Sequence, residues 1–268
     1  MAEQRITLIG AGRMGSALAG GWLAAGFSGR VDIIDPSPAP VVQGWAKDGK
    51  IRHNPPAEPA HVLVVAVKPQ VFGALAAEIA TRVGPETLVL SIMAGVSLAT
   101  LEAKLGTRHV IRAMPNTPGL VGKGVTILCT KPGTPDTQVS TIQALLAPLG
   151  QVEGPISEAQ LPAATAISGC GPAYGFLLAE VMAAAGAAHG LDPELSMRLA
   201  RKTVEGAGAL MEEAEEDAAT LRQNVTSPNG VTQAALEVLM SAEAMPSIFE
   251  KAVAAAIARD IALSKETE

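Results

Sequence analysis

The sequence predicts an α/β unit with a doubly wound, mostly parallel sheet, followed by an all-helical unit. Three observations carry this. Through about residue 150, short and nearly continuous Val/Ile/Leu runs alternate with helix-period stretches, the pattern of parallel strands buried on both faces. From Ser157 onward no strand-like run recurs. Between the first apolar run and the first helical stretch stands the glycine triplet Gly10, Gly12, Gly15.

In chain order, Ile6-Thr7-Leu8-Ile9 is a strand that ends in Gly10-Ala11-Gly12-Arg13-Met14-Gly15, with a helix through Leu23. Val31-Asp32-Ile33-Ile34-Asp35 follows, broken by Pro36, Pro38 and Pro40. His61–Val67 is stopped by Lys68-Pro69, and a helical stretch from Val71 to Val83 leads into Thr87–Ile92. Arg108–Ala113 and Gly124–Cys129 are two further strands. Four helices are expected after that, at about 158–189, 193–216, 230–241 and 244–265. Gly190-Leu191-Asp192-Pro193 supplies a stop and a start: glycine past one helix, aspartate as the next N-cap, proline in its first turn. Gly150–Pro155 reads as the linker, so the expected domains are 1–155 and 156–268.

Composition narrows the function. The 268 residues are 48% hydrophobic and 17% charged, enough to build a core without staples. Aromatics are 3% and the net charge is −6, which argues against a stacking platform or a basic surface for nucleic acid. Cys129 and Cys170 make no disulfide framework, and no His/Cys grouping has metal-ligand spacing, so no metal is expected. No uninterrupted run of about 18 apolar residues suggests a membrane span. The Ala-rich stretch around 177–188 reads as a buried core helix. The N-terminus shows neither a basic n-region nor a cleavage site, and a cytoplasmic protein is expected.

Gly10, Gly12 and Gly15 match the G-x-G-x-x-G fingerprint in the strand–turn–helix context that it requires. The first glycine permits the tight turn, the second lets a pyrophosphate approach the backbone, and the third lets helix and strand pack closely. Arg13 and Met14 lie in the same candidate cradle. Asp35 closes the second strand, where an acid would bind a ribose 2′-hydroxyl and favour NADH. The Pro36-Ser37-Pro38 loop, with Ser37 and Arg13, would instead suit a 2′-phosphate, so NADH and NADPH both stay open.

Six segments then identify a resemblance covering essentially the whole chain: Ile9–Gly15, Ala66-Val67-Lys68-Pro69-Gln70, Ser91–Val96, Ile111–Pro118, Ser168–Tyr174 and Ser227-Pro228-Asn229-Gly230-Val231-Thr232. In order and spacing the chain resembles the pyrroline-5-carboxylate reductases. The resemblance implies that a nicotinamide hydride is delivered to the C=N carbon of the cyclic imine 1-pyrroline-5-carboxylate, giving L-proline. It implies that Val67-Lys68-Pro69 and Met93-Ala94-Gly95 line the nicotinamide side, with Asn54 as a further cofactor contact. The loop Ser227, Asn229, Gly230, Val231 would hold the substrate, with Thr232 beside the imine nitrogen. Glu215 is the candidate acid before that loop; Glu216 is its rival, and an acidic run of this kind also suits a solvated face. The resemblance further implies a dimer of the helical domains, and larger rings of dimers occur in that family. Two departures stand out: Asn229 replaces a usual glycine, a change that a left-handed turn tolerates, and Cys170 replaces a small serine-like residue.

Imine reduction asks for little acid–base machinery, because a protonated ring nitrogen already makes its carbon electrophilic. Orientation and exclusion of water supply most of the acceleration. One donor near the nitrogen suffices, and the Thr232 hydroxyl fits that role. Ser227-Pro228 is expected to open a helix whose free N–H groups receive the substrate carboxylate. Tyr174 and the four histidines are expected to be structural. A β-hydroxyacid dehydrogenase would want a lysine on the 158–189 helix, which has none. A non-catalytic NAD(P)-binding sensor need not keep Thr232. Small residues such as Met182-Ala183-Ala184-Ala185-Gly186 predict a helical face hidden against a second copy, at least a homodimer.

Overall fold

The structure, a computed structural model, describes residues 4–267. The first stretch runs β1 (Arg5–Ile9), α1 (Arg13–Ala24), β2 (Arg30–Ile34), α2 (Pro40–Lys47), β3 (Arg52–His53), β4 (Val62–Val65), α3 (Pro69–Ala80), β5 (Leu88–Ser91), α4 (Leu98–Leu105), β6 (Val110–Met114), β7 (Gly124–Cys129), α5 (Asp136–Leu146) and β8 (Gly150–Ile156). It continues as α6 (Leu161–Ala164), α7 (Gly171–Ala188), α8 (Pro193–Glu213), α9 (Ala218–Asn224), α10 (Val231–Leu239) and α11 (Met245–Thr267).

The eight strands form one sheet in the order β3-β2-β1-β4-β5-β6-β7-β8. All neighbours are parallel except β6 and β7. Strand order reverses between β1 and β4, and in such sheets ligands bind at the carboxyl ends of the strands at this switch. Alternation along each strand feeds two cores. Ile6, Leu8, Ile33, Val64 and Leu90 pack on one face with Leu18 and Trp22. Leu63, Val65 and Val89 pack on the other with Phe72, Leu98 and Leu101. Covering both faces is what permits the nearly unbroken apolar strands. The buried Arg112 guanidinium on β6 donates to Glu158 Oε1, which also accepts the Leu98 backbone N–H (2.8 Å).

Four sequence expectations are corrected. Gly150–Pro155, read as a linker, is part of strand β8. It pairs only with β7 and is largely exposed, and an edge strand tolerates glycine and proline. The helix expected over 158–189 is interrupted by a 3₁₀ turn at Glu158–Gln160 and a π turn at Thr165–Gly169 before α7 begins with Pro172 in its first turn. Proline removes a backbone donor and so favours a fresh start there. Nor is α7 a buried core helix: within the chain only Ala179 and Ala183 are buried, while Phe176 is 66% exposed and Leu177 and Val181 are exposed. The segment Glu158–Ala188 is long and apolar enough to cross a membrane by length and composition, contrary to the expectation that no stretch would be.

Two compact units emerge: the chain up to Gly169 together with the stretch from Ala256, and Cys170–Ala255. In the second, α7 and α8 approach closely because Gly186 has no side chain. A Cβ there would lie 2.2 Å from Ser196 Oγ, whose hydroxyl donates to the Ala183 carbonyl (2.8 Å).

Candidate active site

In the first unit the glycine turn connects β1 to α1, at the strand-order switch. Gly10 has φ +90°, and a Cβ on it would meet the Ala66 carbonyl oxygen at 2.8 Å, just past β4. A Cβ on Gly15 would lie 2.2 Å from the Gly10 carbonyl oxygen. Both glycines are therefore required by the fold itself. Gly12 is different: a Cβ there meets nothing within 4 Å, and the residue is exposed. It is also the N-cap of α1, with no side chain capping the helix. The turn therefore leaves an open backbone cradle over unsatisfied helix N–H groups, as an anionic pyrophosphate requires. Arg13 is exposed and Met14 half-buried beside it.

Asp35 stands at the end of β2, fixed on all sides. Its Oδ2 accepts the Ala11 N–H (2.7 Å) and its Oδ1 the Ser37 N–H (2.8 Å). Its own N–H donates to Asn54 Oδ1 (3.0 Å). Its carbonyl accepts from Asn54 Nδ2 (3.1 Å) and hydrogen-bonds His53 Nε2 (3.0 Å). Asn54 has φ +47°, a left-handed turn that brings its amide back onto β2. Sequence reasoning placed Asp35, Ser37 and Asn54 near the cofactor but missed that they form one hydrogen-bonded knot with Ala11. The 24-residue separation of Ala11 and Asp35 hides that contact from any local pattern.

Around the β4 end, Val67 is half-buried and Lys68 exposed, with Pro69 opening α3. In the turn after β5, the Met93 side chain belongs to the core, Ala94 is exposed, and Gly95 has φ +69° with the α11 backbone at Leu263–Ser264 about 3.5 Å from where its Cβ would stand. Of these three residues, Ala94 alone has an exposed side chain.

The second unit holds Ser227 to Thr232. Contrary to expectation, Ser227-Pro228 does not open the helix. Gly230 N–H donates to the Ser227 carbonyl (3.0 Å), closing a turn, and α10 starts at Val231 with Gly230 as its N-cap. The physical reason is Asn229. It adopts φ +57°, a left-handed conformation that asparagine tolerates and that excludes it from a helix, and Gln233 Oε1 accepts its N–H (2.7 Å). A Cβ on Gly230 would lie 2.9 Å from the Ser227 carbonyl oxygen, so the turn needs glycine there. No side chain caps α10 at its N-cap. Val231 is 91% exposed, Thr232 is exposed beside it, and the Thr232 hydroxyl has no hydrogen-bond partner among the described residues. Glu215 and Glu216 lie in the exposed link between α8 and α9, since α8 ends at Glu213 rather than near 216. Tyr174 packs edge-on against Phe249 (centroids 5.8 Å), and burial and the neighbouring Cys170 thiol raise its pKa. Among the described residues no cluster of three or more His, Cys, Asp or Glu could hold a metal.

Comparison with known proteins agrees with both halves. Residues 5–95 match a family model described as NADP oxidoreductase, coenzyme F420-dependent, and residues 158–263 match one described as pyrroline-5-carboxylate reductase dimerisation. Pyrroline-5-carboxylate reductase of Pseudomonas aeruginosa is 37% identical over 99% of both chains. Among solved structures, pyrroline-5-carboxylate reductase from Coxiella burnetii superposes with a TM-score of 0.88 at 32% identity, covering 98% of this chain and 99% of that one. The Plasmodium falciparum pyrroline carboxylate reductase, solved with NADP bound, gives 0.80 at 29% identity, with 98% and 99% covered. With such identity sustained from end to end, the chain belongs to the pyrroline-5-carboxylate reductase family, NAD(P)H-dependent oxidoreductases.

Proposed function

We propose that this protein reduces 1-pyrroline-5-carboxylate to L-proline with a reduced nicotinamide cofactor, the last step of proline biosynthesis, in the cytoplasm. The observation that carries the reading is that a family member keeps both parts such a reaction needs: an open glycine cradle and a Ser227–Thr232 turn ending in a free threonine hydroxyl. Residues 1–155 would serve as the dinucleotide-binding domain and 156–268 as the domain for substrate and dimer formation.

The bound nicotinamide supplies the hydride. The chain's part is to hold and orient. Gly10, Gly12, Arg13, Met14 and Gly15 would seat the pyrophosphate on the α1 N-terminus, where partial positive charge and free N–H groups favour an anion. Asp35, Ser37 and Asn54 would take the adenosine ribose. Val67, Lys68, Pro69, Met93, Ala94 and Gly95 would flank the nicotinamide, Met93 through its backbone. The uncapped α10 N-terminus, with Ser227, Asn229, Gly230 and Val231 shaping the approach, would receive the substrate carboxylate. The Thr232 hydroxyl, unspent on any capping bond, would hydrogen-bond the ring nitrogen as it becomes an amine. Glu215, exposed on its link, is the candidate carboxylate near that nitrogen. A substrate that arrives as the protonated imine needs no general acid for hydride addition, which suits a Ser227–Thr232 turn that carries no histidine.

The apolar faces of α7 and α10 call for a cover. Phe176, Leu177, Val181 and Val238 are exposed in the single chain, more apolar surface than a solvated helix leaves open. Together with the dimerisation family match over 158–263, this supports at least a homodimer with a second copy, rather than lipid, over these helices.

The test is a purified-protein assay with pyrroline-5-carboxylate and reduced nicotinamide, following loss of the reduced cofactor and formation of L-proline. Stoichiometric appearance of both is expected. Protein that binds the cofactor yet forms no proline contradicts the reading.

A further inference from the structure

We infer that Glu158 is a positioning residue for hydride transfer: through Leu98 it fixes the Met93–Gly95 turn against the nicotinamide. The inference rests on the reading above, in which that turn flanks the cofactor. The turn leaves β5 at Ser91 and enters α4 at Leu98. At the first end Ser91 Oγ accepts the Met93 N–H (3.3 Å), and Ser91 pairs in register with Arg112 of β6. At the second end the Leu98 N–H finds no carbonyl within α4, because the first N–H groups of a helix lack intrahelical partners. Ser97, the N-cap, spends its side-chain oxygen on the Thr100 N–H (3.0 Å). Glu158 Oε1, 60 residues further along, accepts the Leu98 N–H (2.8 Å) instead. Between the two ends Met93 and Val96 are buried and Ala94 is left exposed.

Glu158 is itself held in place. It opens the 3₁₀ turn Glu158–Gln160, which a capping box between Ser157 and Gln160 stiffens. The same Oε1 accepts from the buried Arg112 guanidinium. Arg112 also opposes the upward push of burial on the Asp260 carboxyl of α11, the helix whose backbone abuts Gly95 at Leu263–Ser264. As a stabiliser the ion pair is poor. Arg112 Nε is buried without a hydrogen-bond partner, and desolvating two charges offsets most of their attraction. What the pair supplies is a fixed geometry, here for the backbone that orients the nicotinamide. A displacement of about 1 Å in such a support can cost about 100-fold in rate.

The experiment is a single-turnover measurement on the full-length protein. Protein loaded with reduced cofactor is mixed rapidly with pyrroline-5-carboxylate, and the rate constant of cofactor oxidation is followed. That rate constant, unlike its amplitude, does not depend on how much of the sample is folded. Glu158→Ala should slow it about 10- to 100-fold while the cofactor Kd stays within about threefold. Glu158→Gln, whose amide oxygen still accepts from Leu98 and Arg112, should recover it to within about threefold. Glu158→Ala alone strands a buried guanidinium and can fail to fold, so Arg112→Met combined with Glu158→Ala is measured beside it, with the same slowing expected. An unchanged rate constant in either alanine variant, or a glutamine variant as slow as they are, overturns the proposal. A second readout needs no turnover: hydrogen exchange of a peptide covering residues 92–98, with and without reduced cofactor. Cofactor should slow exchange there in the natural chain and in Glu158→Gln, and not in the alanine variants. The same slowing in all of them, or in none, overturns the proposal. A chain that forms proline with no such dependence on Glu158 leaves the proposed function standing. One that binds cofactor and forms no proline, yet shows that exchange pattern, loses the function and keeps the positioning of the turn.

Discussion

Gly12→Ala separates two roles of the glycine turn that a fingerprint alone cannot. At positions 10 and 15 a methyl collides with backbone at 2.8 and 2.2 Å, whereas at position 12 it meets nothing within 4 Å. The variant should therefore fold. Its direct cost is the exchange of glycine for alanine at the α1 N-cap, at most about 1 kcal/mol, or roughly 2–4 °C in Tm for a chain of this size. Cofactor affinity should fall much further. The methyl stands where a pyrophosphate oxygen must approach the helix N–H groups, and a hydrogen bond to a charged group is worth about 1.5–3 kcal/mol. Losing one weakens binding about 10- to 150-fold at 1.4 kcal/mol per decade. Thermal melting and a titration with reduced cofactor read the two effects on the same sample. Binding within about threefold of the natural chain would mean that no pyrophosphate sits over Gly12, and the cradle would have to be abandoned.

Four further outcomes follow from the same geometry. Thr232→Ala should lower kcat about 100-fold while leaving the cofactor Kd within about twofold, and Thr232→Ser should recover most of the loss, because only a hydroxyl near the nitrogen is needed. Asn229→Ala should raise the KM for the imine about 5- to 30-fold, the equivalent of the 1–2 kcal/mol that an alanine spends at φ +57°, while Asn229→Gly should not. Gly186→Ala should cost about 1–3 kcal/mol in denaturant unfolding, since its methyl would sit 2.2 Å from Ser196 Oγ. Burial raises the Asp260 carboxyl above its ordinary value even though Arg112 works the other way. The folded chain therefore holds that proton more tightly than the unfolded chain, so this contribution is fullest below pH 3.8 and declines as pH rises through the shifted value. In Asp260→Asn that decline should vanish, and melting from pH 4 to 7 should show the variant gaining on the natural chain; parallel curves would refute the sign.

The parts legible in the sequence are those with fixed local spacing. G-x-G-x-x-G needs only neighbours in the chain, so the tasks assigned to Gly10, Gly12 and Gly15 match what a Cβ meets at each. The parallel strands showed as Val/Ile/Leu runs because burial on both faces leaves no polar alternation. Where meaning depends on distant partners, sequence reading failed. Strand β8 looked like a linker because its glycines and proline are tolerable only on an edge, and edges are a property of the assembled sheet. Helix α7 looked like core because an apolar stretch does not reveal whether its cover comes from its own chain. Proline at 228 suggested a helix start, but the left-handed Asn229 right after it holds a turn and delays the helix to Val231. The knot around Asp35 joins three short segments, which only the fold brings together.

The central claim is that this chain directs a nicotinamide hydride onto the imine carbon of pyrroline-5-carboxylate. The most direct measurement supplies cofactor carrying deuterium at the transferable position of the nicotinamide and examines the product by mass spectrometry and NMR. L-Proline with one deuterium on the ring carbon next to nitrogen, on the side away from the carboxylate, is predicted. Proline without deuterium, deuterium at another carbon, or no proline from cofactor-loaded protein would contradict it.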